Sequence, residues 1–152
     1  MNAKYNWPYF EKDEIKSVVN VLKSGKVNYW TGKKCKLFEK KFSKFVGTKY
    51  ALSLSNGTIA LECCLESLGL NKGDEVIVPS RTYVASGLAV VRVGLKPIFS
   101  DVDIVSGNIS LKEIQKVITK KTKAIICVHL GGWPCNMSEI MNFAKKKSLF
   151  VI

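Results

Sequence analysis

Residues 73–100, GDEVIVPSRTYVASGLAVVRVGLKPIFS, contain a complete strand–helix–strand repeat. A short apolar run at residues 75–78 is followed by a helical pattern at residues 81–94 and by a second apolar run at residues 97–100. Short strands that alternate with helices of this kind are typical of a parallel sheet covered by helices. Both faces of such a sheet are buried, which explains why the strand segments are continuously apolar.

The same alternation extends in both directions from this repeat. Ser110 with Glu113, and Asn136 with Glu139, have the spacing of capping boxes and predict the starts of two further helices. The sequence therefore indicates an α/β fold with a mostly parallel sheet flanked by helices. The other expected elements are helices at residues 11–23, 37–46 and 58–68 and strands at residues 50–54, 124–130 and 149–152.

The length and composition are those of one globular domain. The chain has 152 residues, 47% of them hydrophobic, and no apolar run reaches the roughly 18 residues that cross a bilayer. The N-terminal residues lack the basic and then apolar layout of a signal peptide, so we expect a cytoplasmic protein without membrane contact. The last residues, Val151 and Ile152, are apolar and fall within a predicted strand, and we interpret the chain as part of a larger domain.

The formal net charge of +12 does not by itself indicate a nucleic-acid-binding protein. Only Arg81 and Arg92 are arginines, and no recognition motif accompanies the lysines, so we expect no nucleic-acid partner. Solvated helix faces, or attraction for an anionic small substrate, explain the charge. The five cysteines lack metal-site spacing, and Cys63, Cys64 and Cys127 are expected to be small buried hydrophobes.

The turn SNGT at residues 55–58 joins the predicted strand at 50–54 to the next helix. At such a turn, backbone N–H groups and the helix N-terminus can hold a phosphate. Gly57 would let the backbone approach the anion, and Thr58 would add a hydroxyl donor while capping the helix. An ordinary tight turn followed by an ordinary cap explains the same residues, so both interpretations stay open.

Two more residues follow neighbouring strands at the same predicted sheet edge. Tyr83 lies in the turn after residues 75–78, where its ring could stack on a flat ligand or simply pack on its own helix. His129, the only histidine, ends the predicted strand at 124–130 and could be structural or part of the site. Because the carboxyl ends of parallel strands share one edge, we expect these residues and the turn to converge on one site.

Seven ordered blocks from residue 7 onward resemble the N-terminal half of the DegT/DnrJ/EryC1/StrS aminotransferases. This family contains pyridoxal-phosphate enzymes of the aspartate aminotransferase fold (fold type I), which mostly aminate keto sugars on nucleotide carriers. The resemblance implies that the chain is the N-terminal portion of their large, cofactor-binding domain. The blocks are SGKVNYWTG, LFEKKF, SNGTIAL, GDEVIVPSRTYVAS, DVDIVSGNIS, KTKAIICVHLGGWP and LFVI.

The resemblance also implies roles for individual residues. Asn56, Gly57 and Thr58 match the turn that holds the phosphate of pyridoxal 5′-phosphate, and Tyr83 matches the aromatic residue that stacks on the pyridine ring. His129 would belong to the pocket wall. The loop at residues 28–32 would approach the active site near the interface of a homodimer.

The family's pyridine-nitrogen carboxylate, its Schiff-base lysine and its small C-terminal domain have no counterpart in these 152 residues, so no catalytic residue is assigned. The resemblance implies that the full enzyme transfers an amino group to a nucleotide-linked ketosugar, in polysaccharide or amino-sugar biosynthesis. Glutamate is the expected amino donor. These 152 residues alone would be inactive. Two alternatives stay open: a sugar dehydratase of the same family, and a non-catalytic protein that binds a phosphorylated ligand or a partner. The segment HLGGWP also departs from the family's common HLYGQP, which affects the substrate more than the fold.

Overall fold

The computed structural model describes residues 8–152, which divide into two compact units. The helical unit ends at Ser53, and the sheet unit is Leu54–Ile152. The helical unit contains α1 (Lys12–Lys23) and α2 (Lys34–Val46). Both helices follow the predicted apolar spacing, yet neither has a buried residue. The helical periodicity is therefore confirmed, without a core beneath it among the described residues.

The sheet unit is a four-stranded parallel sheet with helices on both faces, as predicted. The strand order is β2-β1-β3-β4, and every pairing is parallel. The strands are β1 (Glu75–Pro79), β2 (Lys96–Ser100), β3 (Thr122–Ile125) and β4 (Phe150–Val151), and the helices are α3 (Gly57–Ser67), α4 (Ala85–Arg92), α5 (Leu111–Val117) and α6 (Met137–Lys147).

Two apolar clusters fix the layers of the sheet unit. Val76 and Val78 of β1 face one side, where they pack with Leu65 of α3 and Val90 of α4. Ile77, between them in the strand, faces the other side and packs in the cluster that contains residues of α5 and α6. The alternation of side chains along a strand thus places α3 and α4 on one face and α5 and α6 on the other.

Two strand predictions need correction. Residues 50–54 form no strand, because none of the described strands pairs with them and an extended segment needs neighbours for its backbone hydrogen bonds. The third strand ends at Ile125 rather than at residue 130. Its neighbour β1 ends at Pro79, which has no N–H to donate, and the next amide, that of Ser80, donates to Ser100 of β2 instead.

Three local predictions also need correction: the buried cysteines and the two capping boxes. Cys63 and Cys64 are exposed on α3 and Cys127 is only partly buried, because the apolar run of α3 is longer than the face that the sheet covers. The Asn136 side chain makes no capping hydrogen bond at the start of α6. Ser110 does cap α5, accepting the N–H of Glu113 at 3.4 Å, but the Glu113 carboxylate pairs with Lys116 and does not return to complete a capping box.

Candidate cofactor site

The strand order creates a crevice at the carboxyl edge of the sheet. The connection after β1 runs through α4 to β2, whereas the connection after the adjacent strand β3 runs through α6 to β4 on the other side. α4 and α6 also lie on opposite faces. Ligands of open α/β sheets bind outside the carboxyl ends of the strands at such a switch point. The loops at residues 80–84 and 126–136 border this position.

The turn at residues 55–58 points to the same edge. α3 enters β1 through the short connection at residues 68–74, which lies at the amino edge, so the N-terminus of α3 lies toward the carboxyl edge. The Oδ1 atom of Asn56 accepts the N–H of Ile59 at 3.0 Å. Asn56 is therefore the N-cap, and Thr58, predicted as the cap, is the second residue of the helix. The cap is Asn56 and not Thr58 because the side chain of a capping asparagine accepts the N–H of the residue three positions later, here Ile59.

The first turn of α3 fits a phosphate group. Ile59 is already bonded to Asn56, and no acceptor among residues 8–152 takes the N–H groups of Gly57 and Thr58. A Cβ built on Gly57 would meet no atom within 4 Å, and the backbone there is not left-handed, so nothing in the described chain requires a glycine. Two available N–H groups, a helix N-terminus and open space before a glycine form a cradle for an anion.

Tyr83 presents its ring at this edge. The residue is 76% exposed, so the ring does not pack on its own helix, which was one of the two interpretations. The turn that carries it is fixed by short bonds: the carbonyl of Tyr83 accepts the N–H of Ser86 at 3.0 Å, and the hydroxyls of Thr82 and Ser86 lie 2.9 Å apart. A fixed backbone with an exposed ring is suited to stacking on a flat ligand.

α3 and α4 both run from the carboxyl edge toward the amino edge, and they are joined by the 3.0 Å ion pair between Arg92 and Glu62. The N-terminus of α3 and the turn with Tyr83 therefore lie at the same edge and toward the same face of the sheet. Among the described residues, no hydrogen bond, ion pair or ring contact joins Tyr83 to the phosphate turn. The loop at residues 28–32 belongs to the helical unit, where the Asn28 side chain accepts the N–H groups of Trp30 and Thr31.

His129 lies beyond the end of β3, in the loop before α6. Its Nδ1 atom accepts the N–H of Cys135 at 3.1 Å. In the neutral imidazole the proton is then on Nε2, which makes that nitrogen a hydrogen-bond donor. Burial raises the pKa of the Cys127 thiol to about 12, with a further contribution from Cys135, and burial also raises the pKa of Cys135. Both thiols stay protonated and are poor nucleophiles.

Two side chains that the sequence analysis did not place at the site, Asn108 and Arg81, shape this edge. Asn108 is 3% exposed; its Nδ2 atom donates to the carbonyl of Trp133 at 2.7 Å, and its Oδ1 atom accepts the N–H of Leu130 at 3.0 Å. This amide joins the loop after β2 to the loop after β3. Arg81 lies against Gly107 of the first of these loops. The sequence indicates only that Asn108 lies among turn-forming residues. Such a pattern does not show which distant residues the side chain will contact.

No group of three or more metal-ligating side chains is found among residues 8–152. No helix in that range is long and apolar enough to cross a membrane.

Known proteins share both the sequence pattern and the fold. Residues 8–152 match the profile of the DegT/DnrJ/EryC1/StrS aminotransferase family. GDP-perosamine synthase of Escherichia coli O157:H7 is 50% identical over 115 residues, which are 76% of this chain and 32% of that protein. An aminotransferase from Psychrobacter cryohalolentis, solved by X-ray crystallography, is 49% identical with a TM-score of 0.94 and covers 97% of this chain.

A third similar structure, a Bacillus subtilis protein solved with bound cofactor PMP, is 35% identical with a TM-score of 0.86 and covers 93% of this chain. The chain spans 37% of the Psychrobacter protein and 33% of the Bacillus protein. It thus corresponds to about a third of the length of these relatives. The family match covers nearly the whole chain and agrees with the fold and with the predicted blocks, and on this evidence the chain belongs to the DegT/DnrJ/EryC1/StrS aminotransferase family.

Proposed function

We propose that this chain supplies the phosphate cradle and one wall of the cofactor pocket to an enzyme that transfers an amino group to a nucleotide-linked ketosugar. The cofactor is pyridoxal 5′-phosphate, the amino donor is an amino acid, expected to be glutamate, and the working enzyme is a cytoplasmic homodimer. The observation that carries the proposal is the first turn of α3. Two N–H groups there have no acceptor among the described residues, and the space beside Gly57 is open, so an anion can bind.

Each site residue has a defined task in this proposal. The N–H groups of Gly57 and Thr58 and the Thr58 hydroxyl donate to the phosphate, while Asn56 fixes the turn through its bond to Ile59. Tyr83 stacks on the pyridine ring and excludes water from one side of it. His129 donates from Nε2 at the pocket wall. When bound, pyridoxal phosphate supplies the electron sink that amino transfer requires.

The described residues do not complete the chemistry. None of the lysines is assigned as the Schiff-base lysine, and no carboxylate of this chain is assigned to the pyridine nitrogen. We therefore propose that residues 1–152 form the N-terminal portion of the large domain and that this portion alone does not transaminate. The loop at residues 28–32 would approach the site near the dimer interface.

Substitution of Gly57 tests the cradle directly. In the intact protein, Gly57→Ala places a methyl group where the phosphate should lie, and we expect a loss of affinity for pyridoxal phosphate of at least about tenfold, measured by titrating the apoprotein. Because alanine favours a helix more than glycine by about 1 kcal/mol, the thermal stability of the apoprotein should not fall. Thr58→Val should weaken binding less, by loss of one hydrogen bond.

Cys64→Ala, an exposed substitution on the same helix, is the matched control and should leave the affinity unchanged. Unchanged cofactor affinity in both Gly57→Ala and Thr58→Val would refute the phosphate assignment. An intact protein that gains no visible absorbance with pyridoxal phosphate would refute the cofactor itself and favour a non-catalytic phosphate-binding role.

The reaction is tested separately from the cofactor. With ¹⁵N-labelled glutamate and a nucleotide-linked ketosugar, transfer of the label to the sugar supports the aminotransferase. Consumption of the ketosugar with loss of water and without uptake of the label would identify the sugar dehydratase alternative.

A further inference from the structure

A cleft on the α5 and α6 side of the carboxyl edge has a composition unlike that of the rest of the chain. Its volume is about 320 Å³, at the small end of the range for ligand pockets. It is formed by the loop after β2, the loop after β3 and the first turns of α5 and α6. The polar and aromatic residues that line it are Asp103, Ser106, Asn108, Ser110, Trp133, Asn136 and Glu139.

The backbone beneath Trp133 is held while its ring projects outward. Its carbonyl accepts the Nδ2 donor of Asn108, a residue that is itself buried, and the following segment is fixed by the bond from the Cys135 N–H to His129. The Trp133 side chain is nevertheless 60% exposed. A large apolar ring on a fixed backbone can contact the flat face of a ring-shaped ligand at a low entropic cost.

The charged side chains that line the cleft disfavour an anion. Two carboxylates, of Asp103 and Glu139, line it, and no lysine or arginine does, although the chain has a net charge of +12. Hydrogen bonds from the N–H and hydroxyl of Ser106 lower the pKa of Asp103, so this carboxylate is ionised at neutral pH. A phosphate or carboxylate ligand would meet two negative charges here.

An anionic ligand has a better place elsewhere on the sheet unit. A second cleft, of about 540 Å³, lies at the opposite, amino edge and is lined by Lys120, Lys123 and Lys147. The contrast between the two clefts shows that the acidic lining is a local property and does not follow from the composition of the chain.

The remaining groups of the Trp133 cleft suit hydroxyls. Asp103 Oδ1 already accepts three hydrogen bonds from Val105 and Ser106, so its charge is largely satisfied within the loop. Glu139 and the Asn136 amide remain available, and together they accept and donate. A hydroxyl group both donates and accepts hydrogen bonds, so it can bond either the Glu139 carboxylate or the Asn136 amide. An apolar ring would leave both side chains without a partner.

We propose that the Trp133 cleft binds an uncharged or amine-bearing polyhydroxylated ring, of the size of one hexopyranose. The C–H face of the ring lies on the Trp133 indole, and its hydroxyls bond Glu139 and Asn136. This site is separate from the phosphate turn of α3, which packs on the other face of the sheet, and it does not depend on the cofactor.

The test titrates the intact protein with methyl α-D-glucopyranoside, D-glucosamine and D-glucose 6-phosphate and follows the indole N–H resonance of Trp133. We expect the first two probes to shift this resonance and the phosphate ester to bind at least about tenfold more weakly. Trp133→Ala should abolish or weaken glucoside binding about tenfold or more, Trp133→Phe should retain most of it, and Glu139→Gln should weaken it severalfold. Phe45→Ala, at another exposed aromatic residue, is the matched control and should change nothing.

Three results would overturn the proposal: no shift of the Trp133 resonance with either sugar, glucoside binding that survives Trp133→Ala, or tighter binding of the phosphate ester at the cleft. Because Trp133 is exposed, its substitution should leave the thermal stability unchanged, which separates lost binding from misfolding. Cofactor binding at Gly57 is read by a different titration, so either proposal can fail without the other.

Discussion

The helices of the helical unit and of the sheet unit have equally regular apolar patterns, but the apolar side chains are mostly exposed in the first unit, whereas several are buried in the second. In α1 the apolar stripe at Ile15, Val18 and Leu22 is exposed, and α2 likewise buries none of its residues. In the sheet unit, Leu65 of α3 and Ile140 of α6 are completely enclosed by strands and neighbouring helices. Periodicity therefore predicts that a helix forms and which face is apolar, but burial depends on a partner surface that the pattern does not contain.

The energetic consequence of this difference is large, and a matched pair of truncations measures it. Leu65→Ala should lower the free energy of unfolding by about 2–5 kcal/mol, because the side chain is 1% exposed and its loss leaves a cavity. Leu22→Ala, at a position that is 64% exposed, should cost less than about 1 kcal/mol. Urea unfolding of the intact protein gives both values. An equally large cost at Leu22 would show that the α1 face is covered in solution and would remove the contrast.

Glycines in left-handed conformations sharpen the comparison at the level of single atoms. Gly107 of the sheet unit and Gly47 of the helical unit have φ angles of 69° and 75°. A Cβ on Gly47 would meet nothing within 4 Å, whereas one on Gly107 would lie 2.3 Å from a guanidinium nitrogen of Arg81. Gly47→Ala should thus cost only the conformational penalty, about 1 kcal/mol, and Gly107→Ala somewhat more, about 1–2 kcal/mol, because the flexible Arg81 side chain must also move aside.

Removing Arg81 identifies the cause of that difference. In the double variant Arg81→Ala and Gly107→Ala, the cost of the Gly107 substitution should fall to that of Gly47→Ala, because the guanidinium no longer occupies the space. A cost that stays the same in the double variant would mean that Arg81 is not the obstacle.

The sequence predicted the parts of the fold that depend on local pattern and neighbouring strands. β1, β2 and β4 appear where apolar runs predicted them, and the helices follow their spacing. The strand at residues 50–54 was wrong because strand formation needs a partner, and an apolar run does not show whether one is present. Cys63 and Cys64 were misplaced for a related reason: an apolar run on a helix includes positions that face away from the sheet.

The assignment of the site residues stays a prediction, but the order of the elements was enough to expect Asn56 and Tyr83 at one edge of the sheet. The N-terminus of α3 and the loop after β1 do lie toward the carboxyl edge, although the strand expected before the turn is not found among the described residues. The bonds that join distant loops could not be read from the sequence. Asn108 contacts Leu130 and Trp133 across more than twenty residues, and no periodicity encodes such a contact.

Helix caps provide a smaller test of the same contrast. Asn56→Ala removes the only side-chain cap of α3, and because α3 is packed in the core, the loss should appear as about 1 kcal/mol of global stability. Glu14→Ala removes the hydrogen bond that its carboxylate accepts from the Glu11 N–H at the start of α1. Since α1 buries no residue, this change should speed amide exchange in α1 while leaving the global unfolding free energy within about 0.5 kcal/mol. A global loss in both variants would contradict the distinction.

The smallest expected effect concerns two carboxylates, one in each unit. A hydrogen bond from the Thr119 hydroxyl, together with Lys96, lowers the pKa of Glu75, and hydrogen bonds from the Ser53 N–H and hydroxyl lower that of Glu39. A lowered folded-state pKa adds stability above the ordinary glutamate pKa, and this stability is lost as the pH falls through the folded value.

Glu75→Gln should therefore make the free energy of unfolding of the sheet unit fall less steeply in acid, whereas Glu39→Gln should leave that slope unchanged and affect only the helical unit. The reason is that Glu75 is a buried residue of β1 bonded across the connection before β3, so its protonation weakens the sheet itself. Glu39 joins α2 to Ser53 within the helical unit, and because both residues are only half-buried, solvent can replace the lost bonds. Urea titrations at several acidic pH values measure the two slopes, and an unchanged slope in Glu75→Gln would show that this carboxylate keeps the same pKa in the folded and unfolded protein.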